Sequence, residues 1–247
     1  MVGCSRPGLH KFQPLNQAHG WLWLRFVSII ILTGACANLL HAADATPAAA
    51  AWLSHQTNVH TWMANVTQTR TLKSLVQPLT ATGRVWFAAP RQFRWELGDP
   101  PQTIAVRQPH QMLVIYPLLK RVEKYPLNSS QPGPWRDALA LLDAGFPRSR
   151  AELETRFRLL DSSPTNGLQT LSLRPRAASA RRLMPLIRVG FDLATYDLRF
   201  TEIRFADGSS MRNEFNDARI NPPLPDEIFE PPLESDWEII VVQPKSQ

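Results

Sequence analysis

Between residues 59 and 125 the chain runs through six short stretches, at 59–72, 79–88, 91–97, 102–107, 111–116 and 120–125, in which apolar and polar residues alternate. A period of two places every second side chain on one side of an extended strand, whereas a helix would scatter the same residues around its axis. Val85 and Phe87 fall on one side, as do Phe93, Trp95 and Leu97; Ile104 and Val106 continue the alternation, followed by Met112, Val114 and Tyr116. Strands of this length, repeating about every ten residues, predict an antiparallel meander that curls into a sandwich or barrel. The 22 prolines against 11 glycines agree with loops and strand edges rather than long helices.

The last third returns to the same period at 168–174, 186–192, 197–205 and 210–220, and closes on "WEIIVV". Asp207-Gly208 is a hairpin turn signal, and the broken alternation at Thr201-Glu202 predicts a bulge. Helical signals are few. "TPAAAAWLSHQTN" at 46–58 has proline in the first turn and a run of alanines, with Trp52 and Leu53 for a buried side. "PGPWRDALALLDAGF" at 132–146 sets Trp135, Leu139 and Leu142 at helical spacing. Ser149 followed by Glu152 makes a capping pattern ahead of a strand near 155–161. The expected fold is mainly β with α: an unclosed, strongly curved antiparallel β-barrel of about eleven strands, with helices covering its concave apolar side. No internal repeat or low-complexity linker divides residues 46–247, which read as a single domain.

Residues 1–45 read differently. Arg6, Lys11 and Arg25 precede the apolar run "FVSIIILTGACANLL", and small residues follow, the order of a secretory signal peptide with cleavage near 42–45. The run is shorter than the ~20 residues of a spanning helix. An uncleaved anchor is the alternative, as is a lipid attached at Cys36 in "LTGAC", although Thr33 stands where a lipoprotein box wants a leucine-like residue. Cleavage after Ala42 or Ala43 removes both cysteines and leaves 24 basic residues against 21 acidic ones, a net charge of +3. A charge that small argues against a nucleic-acid partner.

The sequence holds no G-x-S-x-G, H-E-x-x-H or Walker motif, and the three histidines past the leader, His55, His60 and His110, are not spaced for shared ligation. No enzyme, cofactor or metal site is expected. What stands out is aromatic content on predicted strands, namely Trp62, Trp86, Phe87, Phe93 and Trp95, with Met112 and Tyr116 beyond. Such residues make either a packed sheet core or an adaptable apolar lining for lipid. The second feature is "RPRAASARRLMPLIR", whose Arg174, Arg176, Arg181 and Arg182 are either a solvated loop or a docking surface for an acidic partner or anionic membrane.

Pro90, Phe93, Trp95, Pro101, Gln102 and Tyr116 occur in the order and spacing of the periplasmic outer-membrane lipoprotein carrier family, LolA, and "EIFEPPLESDWEIIV" resembles that family's closing segment. The resemblance runs from the helix at 47–58 to about residue 242. It implies an unclosed β-barrel with a helical lid over an apolar cavity, in a periplasmic carrier that takes lipoprotein acyl chains from an inner-membrane ABC-type release complex to an outer-membrane acceptor, acting as a monomer. Under it, Trp86, Phe93, Trp95, Met112, Val114 and Tyr116 are expected to line or rim the cavity, with Phe93 near its mouth and Leu139 and Leu142 in the lid. Two positions depart from the family. Ala89 stands where the family carries an arginine thought to help hold the lid, and Tyr116-Pro117 lacks the residue usually between those two. A glycolipid cargo, or a sensing module without transport, is the alternative on the same fold.

Overall fold

A computed structural model describes residues 47–127, 139 and 144–242, all within one compact unit, His41–Gln247. After helix α1 (Pro47–Gln56) come strands β1 (Thr61–Thr71), β2 (Leu79–Ala88), β3 (Gln92–Leu97), β4 (Thr103–Arg107), β5 (Gln111–Tyr116) and β6 (Arg121–Pro126). Helix α2 (Arg150–Arg156) then leads into β7 (Phe157–Thr165) and β8 (Leu168–Pro175). A short helix α3 (Ala178–Leu183) precedes β9 (Leu186–Asp192), β10 (Leu198–Arg204) and β11 (Ser210–Ile220), and β12 (Glu238–Val241) ends the described chain.

All twelve strands form one sheet in the order β12-β6-β5-β4-β3-β2-β1-β11-β10-β9-β8-β7. Every pairing is antiparallel except β12 on β6, because the segment after β11 crosses the sheet and returns alongside β6 in the same direction. The sheet is open, with β12 and β7 at its edges, and it curls. Arg91, in the β2–β3 turn, meets Glu152 of α2 at 3.4 Å. Yet β2 and β7, the strand that follows α2 directly, stand six strand spacings apart, roughly 29 Å if the sheet were flat.

The period of two sorts the sheet into two faces. The inner face gathers Trp62, Val85, Phe87, Phe93, Trp95, Met112, Val114, Phe157, Leu173, Val189, Phe191 and Phe215 into one cluster with Trp52 and Leu53 of α1. Trp52 stacks on Phe191 at 4.8 Å, which seats α1 against β9. Phe146 stacks on Phe87 and meets Trp62 edge-on, closing the cluster near the start of β1. The outer face of β3–β6 has its own cluster of Ile104, Val106, Leu113, Ile115 and Val122, covered by Phe229 of the 3-10 turn Asp226–Phe229.

Most predicted elements stand within a residue or two of their expected bounds, and the strands number twelve. The exceptions have local causes. The capping pattern is real, with the Ser149 hydroxyl accepting from the Glu152 amide, but the helix it opens runs to Arg156 and pushes the strand start to Phe157. The irregularity expected at Thr201-Glu202 falls instead between Leu198 and Phe200. There Gly190 leaves room for the Phe200 ring, which a Cβ would meet at 1.9 Å, and the Arg212 guanidinium lies 3.8 Å above that ring. The arginine-rich loop contains α3, where a plain loop was expected. The helix expected at 132–146 lies outside the described residues apart from Leu139, Ala144, Gly145 and Phe146.

Candidate functional site

Register assigns each candidate to a face. One inner-face row runs straight across five strands: Val85, Trp95, Ala105, Val114, Glu123. The next row holds Phe87, Phe93, Arg107, Met112 and Tyr125. Burial varies along both rows. Phe93 and Met112 are wholly buried, sealed in the core rather than at a mouth, whereas Trp95, Val114 and Tyr125 keep 7–8% exposure. Leu97, Ala105, Tyr116 and Leu139 are only half-buried against the same cluster. Toward α1, Trp52, Leu173, Met184, Ile187, Val189, Phe191 and Ile203 are all at 0%, with Tyr196 half-buried beside Phe191. Over β3–β6 the inner face thus combines the buried Trp95 and Val114 with the half-buried Leu97, Ala105 and Tyr116.

Of the expected lining, Trp95, Val114, Tyr116 and Leu139 belong to this part. Trp86 does not. It alternates with Val85 and Phe87, so it points to the outer face, where it packs against the second cluster with the Arg84 guanidinium 5.7 Å from its ring. Its aromatic character in the sequence carried no facing information of its own; the alternation did. Leu142 lies outside the described residues.

A polar group of residues stands on this apolar floor and was missed. Glu123 accepts from Arg121 Nη2 at 2.8 Å and from the Tyr125 hydroxyl at 2.7 Å, while the Arg121 guanidinium stacks 4.9 Å from the Tyr116 ring. Burial, then the Glu123 carboxylate, raises the Tyr116 phenol above its ordinary pKa. Burial and the Glu123 hydrogen bond raise that of Tyr125. Both remain neutral donors through the physiological range. Among the described residues Trp95 Nε1 and Arg121 Nε are buried on this floor without an acceptor, as is Trp52 Nε1 on α1. The signal was present in "RVEKY", whose Arg121, Glu123 and Tyr125 share one face by the same alternation. Arg107 lies between Phe93 and Met112 in register, so a guanidinium is carried on the inner-face row even though position 89 is alanine.

The four arginines of the predicted docking surface divide. Arg176 Nε donates to the Glu154 and Phe157 carbonyls, and Arg181 Nη1 donates to those of Pro175 and Arg176, so these two brace the turn into α3. Arg174, opposite Arg158 in register, and Arg182 are exposed. Among the described residues no group of histidine, cysteine and carboxylate side chains is gathered to hold a metal ion.

Comparison with known proteins gives three findings. The family described as Outer membrane lipoprotein carrier protein LolA matches residues 57–232. An Outer-membrane lipoprotein carrier protein of Xanthomonas axonopodis pv. citri (strain 306) is 31% identical over 97 residues, 39% of this chain; the match spans 43% of that relative, less than half its length. Similar solved structures include an uncharacterized conserved protein from Thermus thermophilus, 11% identical with a TM-score of 0.46, covering 78% of this chain and 96% of that one. Another is a LolA superfamily protein from Nitrosomonas europaea, 11% identical with a TM-score of 0.39, covering 72% and 96%. A third is the Mycobacterium tuberculosis lipoprotein LppX, 14% identical with a TM-score of 0.38, covering 71% and 97%.

Proposed function

The chain belongs to the outer membrane lipoprotein carrier protein LolA family, and from that premise we propose that it is a non-catalytic periplasmic carrier of acylated lipoproteins. Residues 1–45 direct export and are removed, and residues 46–247 work as one domain. The carrier takes its cargo from an inner-membrane ABC-type release complex and yields it to an outer-membrane acceptor. Among the described residues no helix is long and apolar enough to cross a membrane.

The observation that carries this reading is the uneven burial of the inner face. Trp52 and Phe191 at α1 are fully buried, whereas over β3–β6 Leu97, Ala105, Tyr116 and Leu139 are half-buried against the same cluster. An acyl chain laid there meets Trp, Leu, Val and Tyr surfaces, and each CH₂ taken from water contributes ~0.8 kcal/mol. A 16-carbon chain fully buried at that rate reaches about 12 kcal/mol, and a second chain would carry the sum past the tightest non-covalent complexes. A carrier has to release its load, so a face that is apolar but imperfectly filled suits it better than a close-fitting pocket. The unpaired Trp95 and Arg121 donors match the ester or amide carbonyls at the head of an acylated cysteine.

The test is binding of a fluorescent acyl probe and extraction of an acylated lipoprotein from membranes. Trp95→Glu should weaken probe binding at least tenfold, a larger loss than its lowering of the unfolding midpoint, while leaving circular dichroism near wild type. Equal loss of fold and binding would mean that Trp95 is core. The full burial of Trp52 and Phe191 at α1 favours a second reading, a module that senses lipoproteins without moving them; binding without extraction would select it. Binding of glycolipid in preference to acylated protein would keep the carrier and change its cargo.

A further inference from the structure

Large apolar side chains are exposed on three separate loops of this protein. In the β1–β2 loop Val76 is fully open at 101%, with Leu75 and Leu79 beside it, and the β5–β6 turn shows Leu118 at 75% and Leu119 at 64%. Leu183, the last residue of α3, is half exposed.

Topology brings these loops to one end of the sheet. In an antiparallel run alternate hairpins share an end, so the β1–β2, β3–β4 and β5–β6 connections lie together. Thr71 pairs with Ser210, which adds the β10–β11 turn to that end. The Ala206 amide of this turn donates to the Leu183 carbonyl at 2.9 Å, and the Lys73 side chain packs over Gly208. Loop 72–78, the 205–209 turn and α3 are therefore one continuous rim, with 117–120 farther along the same end.

Charge on the rim is positive along its α3 side, where Lys73, Arg181 and Arg182 stand against Asp207, and balanced at 117–120, where Asp236 and Glu234 offset Lys120. None of the segments 72–79, 117–120 and 178–183 contains an acid, and they bring Lys73, Lys120, Arg181 and Arg182. Of the carboxylates nearby, Asp236 is paired with Lys120 at 2.6 Å and Asp207 accepts from the Ser209 amide and hydroxyl; Asp99 sits in the β3–β4 turn.

We propose that this end of the sheet docks onto an anionic lipid bilayer, its leucine and valine tips entering the acyl boundary and its lysines and arginines meeting lipid phosphates. A protein partner would need a contiguous apolar centre. Here the tips of 75–79 and 118–119 are set about four strand spacings apart, ~19 Å, across the polar 98–102 turn. A bilayer takes up separated tips independently, and basic side chains beside them add attraction to anionic headgroups. The rim is distinct from the inner-face floor over β3–β6, so docking does not depend on the carrier reading.

The test uses the mature chain, residues 46–247, which holds no cysteine of its own, carrying a polarity-sensitive dye on a single new cysteine. Sites are Val76→Cys, Leu118→Cys and, at the other sheet end, the exposed Thr165→Cys. Vesicles containing phosphatidylglycerol should shift dye emission to the blue at 76 and 118 and leave 165 unchanged. High salt or vesicles of phosphatidylcholine alone should reduce the shift several-fold. A second arm adds Leu118→Asp to the Val76→Cys reporter and should diminish its shift. No shift at 76 and 118, or an equal shift at 165, overturns the proposal; equal shifts with uncharged lipid overturn its anionic part. Binding of the acyl probe in vesicle-free solution should be unchanged by Val76→Asp, so docking and carriage fail separately.

Discussion

Glu123 sits in the same inner-face row as Trp95, Ala105 and Val114, and it holds the polar residues of that floor in place. Its carboxylate takes the Tyr125 hydroxyl and the Arg121 guanidinium, and Arg121 in turn lies over the Tyr116 ring. Burial and Glu123 together raise both phenols' pKa in the folded state. A raised pKa means that the stability these groups contribute is intact below the ordinary tyrosine range and declines as pH climbs through their folded values. A near-ultraviolet absorbance titration of the three tyrosines should therefore show Tyr116 and Tyr125 ionising above the ordinary range, with unfolding bringing both back. Glu123→Gln should lower both midpoints, Tyr125 more than Tyr116, because only Tyr125 donates to it directly. Midpoints unmoved by that substitution would leave burial as the whole cause. Alternation in "RVEKY" put these residues on one face, but that the face is the inner one follows only from the pairing of Glu123 with Val114.

At the scale of elements, the segment after β11 governs the outer face of β3–β6. Asn221 starts it, at φ 54°, a left-handed conformation that asparagine tolerates better than most side chains. Its Oδ1 accepts from the His60 and Thr61 amides and its Nδ2 donates to the Asn58 carbonyl, so the entry to β1 is fixed at the same point. Farther on, Arg94 donates to the Ile228 carbonyl and Gln108 to that of Phe229, which press Phe229 into Ile104, Val106, Leu113, Ile115 and Val122. Phe229→Ala should then cost about 3–5 kcal/mol of unfolding free energy, the range for removing a buried aromatic. Urea unfolding checks it, and a loss under 1 kcal/mol would mean the segment covers the sheet without stabilising it. Ile104 and Val106 are apolar on both predicted and observed strands, yet their cover was not legible, since the segment that supplies it is remote in sequence and nearly featureless in period.

For the whole molecule, the decisive property is that one curled sheet has two unlike halves. Toward α1 its inner face carries mostly fully buried side chains, and over β3–β6 more half-buried ones, Leu97, Ala105 and Tyr116. Enlarging a side chain should then have opposite consequences in the two halves. Val189→Phe, at a fully buried position, should destabilise by about 1–3 kcal/mol, the usual penalty of overpacking. Ala105→Phe, at a half-buried position of the floor, should cost less than about 1 kcal/mol and reduce acyl-probe binding, since it occupies the space the probe would take. Thermal or urea unfolding beside a binding titration measures both. Equal destabilisation by the two would mean a single uniform core.

The period of two determined, from sequence alone, where the strands run and which residues of each share a side, because side chains of an extended chain point alternately to opposite faces whatever the fold. It put Val85 and Phe87 together against Trp86, and Phe93 with Trp95 and Leu97. Capping chemistry placed the start of α2, since a serine hydroxyl satisfies a helix-end amide using neighbours three residues away. Only the tertiary structure decided which face is inner, that β12 returns parallel to β6, that Phe93 and Met112 are fully buried while Ala105 and Tyr116 are half-buried, and that exposed Val76 and Leu118 share a sheet end. Each of those depends on how far the sheet curls and what lies across it. Those are contacts between residues distant in the chain, and no local pattern carries them.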